Sequence, residues 1–167
     1  MSCKTCSSKT DGSPKGCKNN GTCGTDSCNK FTVFDWLSNM TLPSGQSQFL
    51  YSEVRFKNGR KDYFLNKNSL SLSVGDVVAT QVESGYDIGM ITLTGELVKV
   101  QMDKKKIDYS QENPKITYRK ASQKEIDKWS NLRDQEEAIK VKARKYAIDL
   151  RLKMKISDIE YQGDGSK

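Results

Sequence analysis

Five thiols are packed into the first 28 positions of a 167-residue chain: Cys3, Cys6, Cys17, Cys23 and Cys28. Their spacing is C-x2-C-x10-C-x5-C-x4-C, and no cysteine follows. Thiolates are the preferred ligands of zinc and of iron–sulfur clusters, and Cys3-x-x-Cys6 is a common ligand pair. Gly16, Gly21 and Gly24 give the backbone freedom to close tightly around an ion. Lys4, Lys15 and Lys18 lie close by in sequence and favour the thiolate. Four ligands complete such a site, and Cys3 or Cys6, nearest the terminus, is the spare. Zinc and an iron–sulfur cluster both remain open as the occupant. A disulfide knot is the second reading; the odd count and the absence of an apolar leader region argue against it. A plain polar tail is the third.

The rest of the sequence offers little else that does chemistry. It contains no histidine, so a histidine base, a serine triad and a Cys/His zinc site are excluded within the chain. Asp62, Asp76 and Asp87 are the visible carboxylates of the middle region. Each stands at a turn signal, where aspartate is favoured by local hydrogen bonding. There is no phosphate-loop motif, and no nucleophile stands beside a base. The expectation is a protein that is not an enzyme.

The net charge is +7, from 28 Lys and Arg against 21 Asp and Glu. A basic balance favours an anionic partner. Two runs carry it: Lys104-Lys105-Lys106, and the stretch from Lys140 to Lys155. The second holds Lys140, Lys142, Arg144, Lys145, Arg151, Lys153 and Lys155 against Asp149 alone. Candidate phosphate contacts are Lys104, Lys105, Lys106, Lys140, Lys142, Arg144 and Lys145. A solvated surface and dipole matching at a helix end are the competing explanations. No apolar run is long enough to span a membrane, so no membrane insertion is expected and the cytoplasm is the default compartment.

These groups need elements to position them. Residues 1–30 have almost nothing to build a core, and order there must come from a cross-link or metal. Residues 31–50 open with Phe31-Thr32-Val33-Phe34-Asp35-Trp36-Leu37, a hydrophobic anchor and linker. Residues 51–120 read as a run of strands. Glu53 to Lys57 and Arg60 to Leu65 flank Asn58-Gly59, a strong hairpin signal. Val77 to Val82, Ile88 to Leu93 and Glu96 to Met102 follow, separated by glycine turns. Ser122-x-x-Glu125 is a capping box that opens a long helix over 121–153. Ile126, Trp129, Leu132, Ile139, Ala143, Ala147 and Leu150 recur along it near helical spacing. Met154 to Tyr161 reads as a strand and 163–167 as a turn, which suggests a longer protein continuing past Lys167. The expected fold is α+β. A small antiparallel SH3-like barrel or curled sheet leads to a long helix and a C-terminal strand, and an irregular cysteine-rich, metal-bound tail precedes it.

Three segments together resemble the YaaT/RicT family, the stage-zero sporulation proteins with a PSP-type C-terminal domain. They are Glu53 to Lys61 (EVRFKNGRK), Gly75-Asp76-Val77-Val78 with Glu83 to Gly89 (ESGYDIG), and Met154 to Gln162 (MKISDIEYQ). The segment PKGCKNNGTCGTDSCNK resembles the cysteine-rich extension of the family's Bacteroidetes branch. The resemblance implies a cytoplasmic, non-catalytic regulatory or scaffold subunit. It implies small protein partners, iron–sulfur clusters and a role with endoribonuclease Y in mRNA processing and turnover. The family's own cluster cysteines lie beyond the strand that ends here and have no counterpart among Cys3 to Cys28. Two rival readings stand beside it: a nucleic-acid- or ribosome-binding module acting through its basic surfaces, and a redox or iron–sulfur sensor whose output is assembly.

Overall fold

The computed structural model describes residues 43–45, 47–110 and 112–167. The five cysteines and the Phe31–Leu37 anchor lie outside the described residues. Five strands form one antiparallel open sheet: β1 (Tyr51–Arg55), β2 (Lys61–Leu65), β3 (Val77–Gln81), β4 (Tyr86–Thr94) and β5 (Thr117–Lys120). Their order is β2-β1-β4-β3-β5. Helix α1 (Glu96–Lys104) follows β4, and helix α2 (Gln123–Asp149) follows β5. The architecture is α+β, as expected.

The Asn-Gly hairpin forms where its sequence signal lies. Asn58 and Gly59 both take positive φ, 57° and 73°, at the tip joining β1 to β2. Tight hairpin turns of the right hand require such values, which asparagine and glycine tolerate best. β1 pairs with β2 from Tyr51 opposite Leu65 to Arg55 opposite Lys61.

Both faces of the sheet are packed. Tyr51, Tyr63 and Leu93 form one buried cluster with Val98 and Met102 of α1. Val54, Phe56, Phe64, Val78 and Ile91 form the other. Ile91 and Leu93 are two apart on β4 and would share a face of a regular strand. A register shift prevents this: Val54 faces Ile91 while Glu53 faces Leu93, leaving Thr92 as the extra residue of a bulge. The bulge turns Leu93 toward α1.

The sheet curls until its edge strands nearly meet. A single parallel bridge joins Leu65 to Ile116, and the Leu65 N–H donates to the Lys115 carbonyl at 2.8 Å. Lys115 also pairs with Asp62 of β2. The curled-sheet expectation is met, without closure into a barrel.

Two expected strands are absent. Glu96 to Met102 is helix α1. Val98 and Met102 are buried four residues apart, with Leu97 packed beside them, while Val100 is 58% exposed. A strand would have put Val98, Val100 and Met102 on one face. The helix instead buries one stripe against β1 and β4. The other is Met154–Tyr161, which joins no strand. Side chains, rather than a neighbouring strand, satisfy its backbone, as described below.

α2 begins at the expected capping box. The Ser122 N–H donates to the Glu125 carboxylate at 2.9 Å, and Arg119 of β5 grips that carboxylate with two bonds of 2.6 and 2.8 Å. The helix ends at Asp149, short of the expected residue 153. Leu150 takes the cap position, and Arg151 follows with φ 51°.

Candidate functional site

The sequence segments EVRFKNGRK, ESGYDIG and MKISDIEYQ are far apart in the chain, and the fold brings them to one place. After Asp149 the chain reverses and runs back along α2 as a strap. The Arg144 guanidinium donates to the carbonyls of Ile156 and Ser157 at 2.9 and 3.2 Å. The Tyr161 N–H donates to Glu136 at 2.9 Å, and Lys128 donates to the Asp164 carbonyl at 2.5 Å. Residues 156–164 thus lie antiparallel to the helix.

The hairpin tip clamps this strap. The Lys57 ammonium lies 2.6 Å from Glu136 of α2 and 3.0 Å from Asp158 of the strap. The Lys57 and Glu136 side chains are only 8% and 6% exposed. Lys57 also donates to the Ile159 carbonyl, and the Asn58 amide to Asp158. Burial works against the charge on Lys57, but its bonds to Glu136 and Asp158 outweigh it, and the pKa stands above the ordinary lysine value. Asp158 is held below the usual carboxylate range: burial opposes its charge, and Asn58 and Lys57 together prevail.

Asp87 extends the clamp. It is buried and does more than shape a turn. One oxygen accepts the N–H groups of Ile88 at 2.8 Å and Gly163 at 3.0 Å; the other accepts from Arg60 at 3.0 Å. Arg60 reaches Glu160 at 3.4 Å and lies over the Phe56 ring. Gly163 must be glycine for this approach, because a Cβ there would lie 2.4 Å from the Ile88 nitrogen. Gln162 and Asp164 complete the contact. The Gln162 amide donates to the Ser84 carbonyl at 2.6 Å, and the Asp164 N–H donates to the Tyr86 carbonyl at 3.2 Å.

Lys57, Arg60, Glu136, Asp158 and Glu160 were not among the candidate residues drawn from composition and spacing, and Asp87 was read only as a turn residue. The only signal for them was that most belong to the three segments carrying the family resemblance. Their charges are paired with one another and bonded to backbone groups, so the cluster fastens elements together.

The cations singled out from sequence fall in two separate places. Lys104 ends α1, Lys105 caps it and lies 5.0 Å from the Tyr63 ring centroid, and Lys106 follows with φ 56°. Lys140, Lys142, Arg144 and Lys145 lie on the far half of α2. Lys140 pairs with Glu137 at 2.5 Å, and Arg144 is engaged with the strap. Lys142 and Lys145 are exposed. Among the described residues no hydrogen bond or ion pair links the two groups.

Asp62 and Asp76 serve the turns and edges as expected, accepting from Tyr63 and Ser73 and pairing with Lys115 and Lys120. A third buried carboxylate, Glu53, sits inside the sheet and accepts from Lys61, Thr92 and Tyr63 at 2.7, 2.7 and 3.2 Å. Among the described residues no group of three or more potential metal ligands is assembled, and no helix is long and apolar enough to cross a membrane.

Comparison with known families gives one match. Residues 115–167 fit the family model described as the PSP1 C-terminal conserved region. The match covers β5, α2 and the strap. No curated protein and no solved structure matches the chain.

Proposed function

From residues 115–167, which belong to the PSP1 C-terminal conserved region, we propose that the chain is a non-catalytic adaptor, a regulatory scaffold subunit of a bacterial RNA-processing complex acting with endoribonuclease Y. The observation that carries this reading is the clamp. The matched residues form an arm and a strap, and Lys57, Arg60 and Asp87 of the sheet fasten that unit to the body. Charges consumed in holding an arm at a fixed place suit a part that presents surfaces to partners. The five cysteines lie outside the described residues, and in this reading they form a thiolate site for zinc or an iron–sulfur cluster, for which all-sulfur donors are suited.

Native mass spectrometry of the protein purified from its own cells tests the adaptor. The expected result is a complex of fixed stoichiometry containing endoribonuclease Y or its accessory subunits, unchanged by nuclease. A lone chain that carries RNA instead supports the second reading, a direct nucleic-acid binder. That reading draws on the exposed Lys104, Lys106, Lys142 and Lys145. A binder of that kind loses affinity steeply between about 50 and about 200 mM salt, whereas a protein-held complex does not.

A further inference from the structure

The end of the arm carries more exposed large hydrophobic residues than any other stretch of the described chain. Eleven large hydrophobic residues are exposed among the described residues, and six fall between positions 141 and 154: Val141, Tyr146, Ile148, Leu150, Leu152 and Met154. Ile148 is 74% exposed and Leu150 69%. Exposed apolar side chains scattered singly need no explanation, but Ile148, Leu152 and Met154 line one groove together, and apolar surface gathered at one place marks an interaction site.

The cluster has shape. The reversal from α2 into the strap leaves a groove of about 360 Å³, lined by Ile148, Leu152, Met154 and Ile156 together with Arg144 and Lys155. It also has a charge. Lys142, Lys145, Arg151, Lys153 and Lys155 surround it in sequence and are exposed. None of them forms an ion pair among the described residues. Asp149 is the only acid between Lys140 and Lys155.

These features select among anionic partners. Nucleic acid is held by phosphate contacts together with stacking on aromatic rings, and Tyr146 is the only aromatic residue of the cluster. A helix lying on a membrane presents one continuous apolar stripe. Here Val141 and Ile148, seven apart, share a face, whereas Tyr146 lies about 160° from Ile148 around the axis at 100° per residue. Leu150, Leu152 and Met154 lie past the helix end. The apolar surface wraps around a tip and enters a groove. A concave apolar groove lined by Lys155 and Arg144 and flanked in sequence by exposed Lys142, Lys145, Arg151 and Lys153 fits an acidic protein segment whose few apolar anchors insert between the charges, the helix-in-groove mode.

We propose that the tip of α2 and the start of the strap form a docking groove for an acidic amphipathic helix of a partner protein. The proposal deepens the adaptor reading by assigning that function a surface. The test uses the full chain and a labelled synthetic peptide with leucines at i, i+3, i+4 and i+7 and glutamates on its flanks, followed by fluorescence anisotropy. Saturable binding is expected. Ile148→Asp or Leu152→Asp should weaken it about tenfold or more, and so should Lys153→Glu with Lys155→Glu. Val74→Asp, at an exposed apolar position elsewhere, should not. Because the substituted side chains are exposed, each variant should keep the parent's circular dichroism and melting temperature. The proposal is overturned if the peptide fails to bind, or if it binds all variants equally. It is also overturned if the tip variants abolish binding to phosphatidylglycerol vesicles, to polyuridine or to a second copy of the chain while the peptide is ignored. The native complex separates this idea from the adaptor reading. A complex that survives Leu152→Asp removes the groove and leaves the adaptor. Peptide binding by a chain that forms no native complex does the reverse.

Discussion

Lys57 holds a charge in a place that is almost dry, and its surroundings determine what its removal costs. Glu136 and Asp158 face it at 2.6 and 3.0 Å. Lys57→Met leaves two carboxylates facing each other without a cation, one of them only 6% exposed. Breaking a buried pair from one side costs about 3–5 kcal/mol. That loss is expected in urea unfolding at neutral pH. Adding Glu136→Leu should recover much of it, because an apolar pair can replace a buried ion pair. A single-variant cost below about 1 kcal/mol would show that the pair behaves like a surface salt bridge. Gly163 sets a second test at the same scale. Its added Cβ would meet the Ile88 backbone nitrogen at 2.4 Å and Ile88 Cγ1 at 2.7 Å. Backbone yields poorly, so Gly163→Ala is expected to cost about 1–3 kcal/mol. Amide exchange should quicken along the strap while the β1–β4 ladder stays protected; unchanged exchange would mean that the approach is looser than the geometry shows.

Among the elements, the strap is the one whose attachment depends most on charge. Asp158 and Asp164 both stand below the usual carboxylate range. For Asp164, burial opposes the charge and the Ser166 N–H and hydroxyl outweigh it. A carboxylate whose folded pKa is depressed contributes stability above its unfolded value of about 4 and loses it as pH falls through the folded value. Lys57 is shifted upward, so its contribution persists below about pH 10 and is lost as pH rises through its folded value. Stability is therefore expected to be highest between these limits. Asp158→Asn should be less stable than the parent at neutral pH and lose less on acidification. Equal acid slopes in the two proteins would show that Asp158 is not linked to folding. The strap also shows where sequence reading reaches its limit. Local signals were legible: Asn58-Gly59 placed the hairpin and Ser122-x-x-Glu125 placed the start of α2. Alternation alone misled twice. Val98, Val100 and Met102 fit a period of two, Val98 and Met102 also fit a helical one, and burial of that pair with Val100 exposed decided for a helix. Met154 to Tyr161 alternates like a strand, yet its backbone is satisfied by Arg144, Lys57 and Glu136 from other elements. The role of Asp87 was hidden because its partners Arg60 and Gly163 lie 27 and 76 positions away in sequence.

At the scale of the whole molecule, the body and the cysteine segment have different sources of stability. The two core clusters draw on residues between Phe49 and Ile107, and the clamp draws on Lys57 to Asp164. Among the described residues, both faces of the sheet are packed by aliphatic, aromatic and methionine side chains. The cysteine segment has almost no apolar residues, so a bound metal would be its main source of folding energy. The proposed thiolate site therefore predicts two separable behaviours. Protein purified without oxygen should contain about one zinc per chain, or iron with matching sulfide. Removing that metal with a chelator should leave the main thermal transition within about 4 °C of its starting point, a shift that corresponds to no more than about 1 kcal/mol for a body of this size. Absence of metal would leave the cysteines without the role proposed for them. Metal whose removal collapses the main transition would mean that the cysteine segment completes the core of the body. The clamp on the strap would then not be enough to hold the arm, and the adaptor's geometry would depend on its metal. If zinc persists in air and the transition is unmoved by chelation, the metal orders one surface while ion pairs fix the other. A partner could then be lost from one of these surfaces without unfolding the sheet.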